Sequence, residues 1–599
     1  MCFRFCFSAL IFFLSLILCV QAACVSPSDD SENWYVSDTV LCTDTYNRVT
    51  LVLDADGIVL DCNGSILDGL WDGEQQEGVI VMADSTTVIN CDFRNYESGY
   101  SLQESDSSEK MDYVLNSTFY NNTYGIDVTV INYGIHVENS SFHHNNVGLD
   151  FGTTTNVTVV LNNFTGNLHA AVKDNYVMKW SRINNNRFSD HNRSSTVNVV
   201  DIDQFEESEF KNNYFINQNG TALLLSTSSV ASELVIENNT IINVYEGDAL
   251  AVYSMRDGII RGNTLINSTH TAIRSGGLNP TNNLIENNTI VNLLPVDNYA
   301  YGIYLNKDFN TTIRNNHVFG YTYPIMLYDK SNYCVAYNNI INDTTQQVRS
   351  RNQTNSWNTS RDCTKTNIAG GPCVGGNLFL NNDSSGFSQT CADDDNDGFC
   401  DDPYTDSSVG WEVTDYLALT EDYNYAPTLT LGSVSPELDS TGSTFTFTVT
   451  YSDADGDASS YVRLVLDGGE HVMSKQSGEF DSGAVYSVEP TINDYGTHTY
   501  YFTSSDGTTT TDTSTVTKPH VTSNSDCSVT DPPVAGDWEI SSSETCQDSA
   551  FLASSTGDLC VKDSNTLTVD GATIYINQSK LNFEGSSKIT LTNGILTFM

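Results

Sequence analysis

The sequence predicts an all-β protein: a long parallel β-helix with coils of about 25 residues, then a β-sandwich and a short β-rich C-terminal module. Three observations lead there. Nearly the same string occurs twice, as "ELVIENNTIINV" at 233–244 and "NLIENNTIVNL" at 283–293. These strings belong to a longer series in which a small, mostly polar residue stands two places before an apolar or aromatic one. Its members are Cys91, Ser117, Ser140, Asn162, Asn186, Asn213, Asn239, Asn263, Asn288, Asn316 and Asn339. They lie 22–28 residues apart, inside the range of solenoid repeats. Finally, short runs such as "LAVYS" and "GIIRGN" are punctuated by Asn, Gly, Asp, Ser and Thr, the pattern of strands and turns, and no stretch sustains a helical period. One unit fits a coil of three short strands and three turns, and eleven or so coils at a spacing of ~4.8 Å make a rod roughly 50 Å long.

The recurrent asparagine has a structural job. An inward amide at a tight turn cannot be left without partners in a dry interior. Stacked coil on coil, it donates to one neighbour and accepts from the other. Asn162, Asn186, Asn213, Asn239, Asn263, Asn288, Asn316 and Asn339 are expected to form this ladder, and Asn also tolerates the left-handed backbone of the turn. The next residue (Thr240, Thr264, Thr289) should face out and the following one (Ile241, Leu265, Ile290) in. Cys91 takes the ladder position near the start and is placed to bridge to Cys62 of an adjacent coil. Asn238-Asn239-Thr240 is also a formal glycosylation sequon.

The chain has 599 residues, with 26 Lys+Arg against 75 Asp+Glu and a net charge of −49. Such a surface repels nucleic acid and anionic lipid, and it favours divalent cations. Residues 1–23 read as a signal peptide, with Arg4 before an apolar run and small residues near Ala22 and Ala23. The alternative is an uncleaved anchor, but the run falls short of the ~18 residues of a spanning helix. No later segment is long and apolar enough to span, so the mature chain is expected to carry no transmembrane helix and to be secreted or held at the cell surface. Twelve cysteines remain after residue 23, which makes disulfides the default in an exported chain.

"IVLDCNGSILDG" (58–69), the "NNTI" ladder and "GGPCVGGNLFL…DDDNDGFCDDPYTD…TDYLAL" (370–419) resemble NosD-type right-handed parallel β-helix proteins of archaeal surfaces. The wider group is that of pectate-lyase-like, carbohydrate-binding and sugar-hydrolysis β-helices. The resemblance covers about residues 24–420. It implies the right hand of the coil, and it places Cys24 and Cys42 together in an N-terminal capping segment. The expected division is signal peptide 1–23, N-terminal cap 24–57, β-helix 58–360, a Cys-containing closing segment 361–425, a β-sandwich 426–520, and a linker with a partial β-solenoid-like module 521–599.

"CADDDNDGFCDD" (391–402) is the most specific chemical motif. Asp393, Asp395, Asp397 and Asp401 stand at positions 1, 3, 5 and 9 of a loop with Gly398 at position 6, and Phe399 would contribute its carbonyl. This matches a calcium loop without the bidentate Glu at position 12, so a structural ion of modest affinity is expected. Cys391 and Cys400 are placed to close the loop. The alternative is a solvated acidic turn. Seven or so short strands in 426–520 suggest an Ig-like sandwich, and the stretch resembles Ig/PKD-like modules of archaeal surface proteins. Its Asp453, Asp455 and Asp457 form a weaker calcium candidate. Residues 559–599 resemble the start of another stacked-strand module.

For catalysis the best acidic cluster on the coils is "VVDIDQFEE", with Asp201 and Asp203 on one face of a strand and Asp174 expected to stack near Asp201. Lys173, its neighbour, is then expected on the other face. A solvated acidic face is the alternative account. The resemblance also raises copper, but His143 and His144 are adjacent in sequence and no Met or Cys clusters with them. Aromatic residues on the coils (Trp180, Tyr299, Tyr301, Tyr304, Tyr321, Tyr323, Tyr337) suit stacking on sugar rings. The expected function is non-enzymatic: adhesion, envelope structure or binding of an extracellular glycan or envelope component. The rival is a polysaccharide lyase or glycoside hydrolase.

Overall fold

The computed structural model describes residues 24–598 apart from 72–75, 104–109, 129–132, 175, 192–197, 226–230, 296–298, 343–347, 407–410, 412, 422, 495, 523–537, 541–542, 553–558, 563–564, 577–580, 584 and 593–594. The expected signal peptide lies outside the described residues. The chain divides after Tyr423 into two compact units.

The first unit is a right-handed parallel β-solenoid. Each coil contributes one strand to each of three sheets. The first sheet has 14 strands, from Ser31–Tyr35 to Arg349–Ser350. The second has 13, from Thr39–Val40 to Val335–Tyr337. The third has 14, from Thr45–Asn47 to Leu378–Leu380. Every pairing in these sheets is parallel and joins neighbouring coils, as in Ile236↔Ile260↔Ile285↔Ile313. Stacking thus begins inside 24–57 and ends inside 361–425, so the coils extend past both boundaries expected at 58 and 360. The extra coils escape the asparagine pattern because the first two carry Asp44 and Ser65 at the ladder position, where the Asp44 N–H donates to Ser65 Oγ at 3.4 Å. The last repeat comes only after a 38-residue interval, at Asn377.

Inside, identical positions pile on identical positions. Phe93, Phe119, Phe142, Phe164, Phe188 and Phe215 form one continuous stack with ring centroids 4.4–5.0 Å apart. Ile241, Leu265, Ile290, Val318 and Ile341 continue the same column, all buried. The asparagine ladder runs alongside and is also buried. The N–H and the Nδ2 of Asn239 both donate to Asn263 Oδ1 at 2.9 Å, and Nδ2 also donates to the Phe210 carbonyl at 2.9 Å. The pattern repeats from Asn162 through Asn339 to Asn377, which donates to Asp415 Oδ2 at 2.8 and 3.0 Å. One expectation needs correcting. The left-handed residue at each turn is the one before the ladder residue: Asn185, Asn212, Asn238, Asn287, Asn315 and Asn338 have φ of 55–59°. The ladder amide is spent on hydrogen bonds, and its neighbour bends the chain.

Disulfides join Cys24 to Cys42, Cys62 to Cys91, and Cys391 to Cys400; a fourth, Cys363 to Cys373, was not expected. All sit toward the two ends of the solenoid.

The second unit begins with two mainly antiparallel sheets. One contains Thr428–Ser435, Thr446–Ser452, Ala484–Val488 and Ser474–Ser477; the other is built on Gly496–Ser505, Tyr461–Leu466 and Val516–Thr522. They enclose a core of Phe445, Phe447, Val449, Tyr451, Leu464 and Phe502. Beyond it the pairing becomes parallel again. Trp538–Ile540, Leu559–Val561 and Leu581–Phe583 stack in one sheet, and Glu544–Leu552, Thr566–Ile576 and Lys588–Thr592 in another.

Candidate functional site

Parallel register places one outward position of the first sheet in a single column. It runs Asp127, Asp150, Lys173, Asp201, Leu224, Ala251, Arg274, Tyr304, Met326, Arg349. Charged and aromatic side chains thus line up along the solenoid axis, interrupted by Leu224, Ala251 and Met326.

The N-terminal half of the column is acidic. The expected partner of Asp201 was Asp174, but Lys173 is in register with Asp201, and Asp174 pairs with Ile202 and points into the interior, 2% exposed. The coil between them is one residue longer than assumed, and a one-residue slip in a strand exchanges its faces. Lys173 therefore stands between Asp150 and Asp201. With Tyr124, Asn146, His169, Asn198 and their neighbours it lines a cleft of about 280 Å³. Asn198 Nδ2 donates to Asp201 Oδ2 at 2.9 Å. Burial, reinforced by Asp150, Glu77 and Glu97, pushes the Asp127 carboxyl up to about 6. Burial raises Asp150 also, against the pull of Lys173. Asp203 is raised by burial and then by Asp201. Burial holds the Tyr124 phenol above its ordinary value. Glu206, the next acid, is buried and paired with Lys179 at 2.5 Å. The cleft brings together a carboxylate, a cation, a phenol and an imidazole, a set suited to proton transfer on a sugar.

The C-terminal half is aromatic and cationic. Tyr301 stacks on Tyr323 at 5.4 Å, Tyr304 on Tyr328 at 5.8 Å, and Trp411 lies 6.1 Å from Tyr328. Arg274 covers Tyr304, Arg349 covers Tyr323 and Trp411, and Arg351 covers Tyr328 and Trp411, at 4.5–5.6 Å from the ring centroids. Asp248 holds Arg274 from below at 2.5 Å and also bonds His270. Of the other aromatic candidates, Trp180 and Tyr299 are exposed, Tyr337 bonds Arg314, and Tyr321 is fully buried in the core. Tyr321 therefore offers no ring to a ligand. The arginines of this cluster and Trp411 were missed from sequence, because nothing local ties residues 274, 349 and 411 together.

In the closing segment, Asp393, Asp395 and Asp397 converge, with carboxylate oxygens within 4.8 Å of one another. Asp393 accepts from the N–H groups of Asp397 and Gly398 at 3.0 Å, and Gly398 has the φ of +87° that its turn requires. Burial, then Asp397 and Asp395, raises the Asp393 carboxyl. Asp401 accepts instead from the Asp394 N–H at 3.1 Å, and Phe399 packs its ring in the core. Arg361 pairs with Asp397. Asp453, Asp455 and Asp457 form no such grouping among the described residues. Asp453 is buried beside Tyr451, with its carboxyl pushed up to about 6 by burial and Asp455, and Asp455 accepts from the Tyr425 N–H at 2.9 Å.

Residues 179–384 match the family model of NosD, the periplasmic copper-binding protein. No curated protein matches the chain. Among solved structures, the periplasmic alginate epimerase AlgG is 11% identical, with 49% of this chain and 80% of that one covered and a TM-score of 0.37. A PL6 alginate lyase in complex with a trisaccharide is 12% identical (66% and 87% covered, TM-score 0.31). The A-module of the mannuronan C-5 epimerase AlgE6 of Azotobacter vinelandii is 14% identical (54% and 85% covered, TM-score 0.29). The copper in the NosD description finds no fitting donor set among the described residues. Copper is held by imidazole and soft sulfur ligands. His143 lies on the third sheet and His144 in the turn after it, with its ring edge-on to Tyr120. Met178 and Met255 are fully buried in the core, and the one converging group of His, Cys, Asp and Glu side chains among the described residues is all oxygen. No helix among the described residues is long and apolar enough to cross a membrane.

Proposed function

We propose that this is an exported, periplasmic or surface-held protein that binds an extended glycan along the outward face of the first sheet. The observation that carries this reading is the aromatic–arginine cluster of Tyr301, Tyr304, Tyr323, Tyr328 and Trp411 with Arg274, Arg349 and Arg351. Rings stacked at coil spacing present repeating platforms for sugar rings, and guanidinium groups supply hydrogen bonds to hydroxyl or acidic substituents. Titration of the full chain with oligosaccharides tests it. Tyr304→Ala should weaken binding about tenfold, the loss of one stacked ring. Glycan binding absent from the wild type, or unchanged in Tyr304→Ala, would sink the reading.

The Lys173 cleft favours a second reading, cleavage of an acidic polysaccharide by β-elimination. Lys173 would neutralise the uronate carboxylate, so that the proton beside it becomes removable, and His169 or Tyr124 would take that proton and return one to the leaving oxygen. Incubation with uronate polymers should then produce unsaturated sugar ends, seen by ultraviolet absorbance. Lys173→Gln and Asp201→Ala should abolish them, and an unaltered rate in both variants would exclude the cleft.

We also infer a structural calcium ion at Asp393, Asp395 and Asp397, with a Kd of about 10⁻⁴–10⁻³ M. At ten times that concentration it should stabilise the closing segment by about 1.4 kcal/mol. A melting temperature unmoved by EDTA and by added calcium would count against it. The sandwich of the second unit we take as an Ig/PKD-like module that projects or attaches the solenoid.

A further inference from the structure

The corner between the first and second sheets carries a cavity that the preceding readings do not use. It has a volume of about 600 Å³ and is lined by Arg256, Lys307, Lys330, Leu278, Phe309, Thr281 and a few small or polar neighbours. The turn residues beneath it are held in line by isolated bridges, Arg256↔Thr281↔Phe309↔Asn332, so they stack on four successive coils. Three cations gathered in one cavity are unexpected in a chain with 75 acidic and 26 basic residues. Other basic residues on these coils are neutralised: Arg261 by Glu237, Arg274 by Asp248, Arg314 by Glu286. Arg256, Lys307 and Lys330 form no ion pair among the described residues. Lys307 and Lys330 sit on adjacent coils, where the Lys307 N–H donates to the Asp329 carbonyl, and like charges so placed repel. Of the nearest acids in sequence, Asp257 accepts from Asn282 and Asp308 is buried against Ser275 and Thr311, while Asp329, beside Lys330, acts on the Tyr304 phenol of the first sheet. Arg256 Nε is buried without a hydrogen-bond partner, so no carboxylate among the described residues offsets its charge through that atom. Phe309 is 46% exposed and Leu278 60% exposed, so the cations surround an apolar floor.

We propose that this cavity is a second binding site, for the acidic group of a saccharide. The carboxylate or sulfate ester would lie among Arg256, Lys307 and Lys330, and the sugar ring would rest on Phe309. The proposal rests on the glycan-binding reading, because the site borders the same coils that carry the Tyr–Arg cluster, and it specifies the glycan as acidic. An anion there would relieve the Lys307–Lys330 repulsion and pair with the Arg256 guanidinium charge.

Calorimetric titration of the full chain with oligogalacturonate and with sulfated dextran oligomers tests it, with neutral maltooligosaccharides and inorganic sulfate as comparisons. The acidic oligomers should bind, and binding should weaken as salt rises. Lys307→Gln with Lys330→Gln should reduce affinity about a hundredfold, tenfold for each charge-assisted contact. Lys307→Arg with Lys330→Arg keeps the charge and should keep the affinity, which separates lost charge from lost fold. Neutral oligomers binding as tightly as acidic ones, inorganic sulfate binding without any oligosaccharide, or a double Gln variant with wild-type affinity would each overturn the site. Binding lost in the double Gln variant but retained in Tyr304→Ala supports this cavity and removes the first-sheet reading. The reverse pattern overturns the cavity and leaves that reading standing.

Discussion

Asn239→Ala is expected to destabilise the solenoid by about 3–5 kcal/mol. The Asn239 amide makes four buried hydrogen bonds. It donates to Asn263 Oδ1 and to the Phe210 carbonyl, and it accepts from the Asn213 N–H and Nδ2 at 2.9 and 3.0 Å. Alanine orphans each partner in an interior without water, and a buried unsatisfied group costs about 1–3 kcal/mol. Asn238, one residue earlier, behaves in the opposite way. It is the left-handed residue of the turn, with φ of 57°. Asn238→Gly should be nearly neutral, whereas Asn238→Ala should cost about 1–2 kcal/mol from backbone strain. Denaturant unfolding of the full chain measures all three. A loss below about 1 kcal/mol for Asn239→Ala would mean that the coils relax around the gap and that the ladder contributes little.

The second expected result concerns pH. Asp415, fully buried at the end of the ladder, and Asp308, buried between coils, both have carboxyls pushed up by burial to about 7 from the ordinary 3.8. The folded state binds these protons more tightly than the unfolded chain does. Their contribution to stability is therefore fully present below about pH 4 and is lost as pH rises toward 7, on the order of 2–4 kcal/mol for each. Other acids are shifted the opposite way: Asp248 is lowered despite burial by His270 and Arg274, and Asp506 is held at about 2 by its hydrogen bonds, again despite burial. The clean measurement is thus the difference between the wild type and Asp415→Asn. That difference should change by the stated amount between pH 4 and 7, because the Asn retains an acceptor for Asn377 and has no titrating proton. Parallel stability curves for the two proteins would show that Asp415 ionises normally in the fold.

The ladder was legible because one residue type recurs at one interval. A second buried ladder runs five residues further on in each coil, through Asn122, Asn145 and Asn167 to His191 and Gln218. It escaped notice because its side chain changes from amide to imidazole and back, although the constant offset of five residues would have revealed it. The period also gave the parallel coil and the inward column of Ile241, Leu265 and Ile290. It did not give the faces of Lys173 and Asp174, since loop length sets register and a single residue reverses the outcome. The acidic loop was readable because its carboxylates are neighbours in sequence. The first-sheet cluster and the corner cavity were not, since their members are separated by whole coils and meet only through stacking.

The ladder also has a direction. Each ladder residue directs its backbone N–H and one Nδ2 hydrogen toward the following coil, so these donors align along the axis, as peptide N–H groups do in a helix. An asparagine both accepts and donates, and a row of them could in principle lengthen without limit. Asp415 accepts from Asn377 and, when ionised, has nothing to pass on. Above about pH 7 the carboxylate acts as a terminator, meeting the donor end of the row with a negative charge and offering no donor of its own, whereas below that pH the carboxyl keeps one O–H.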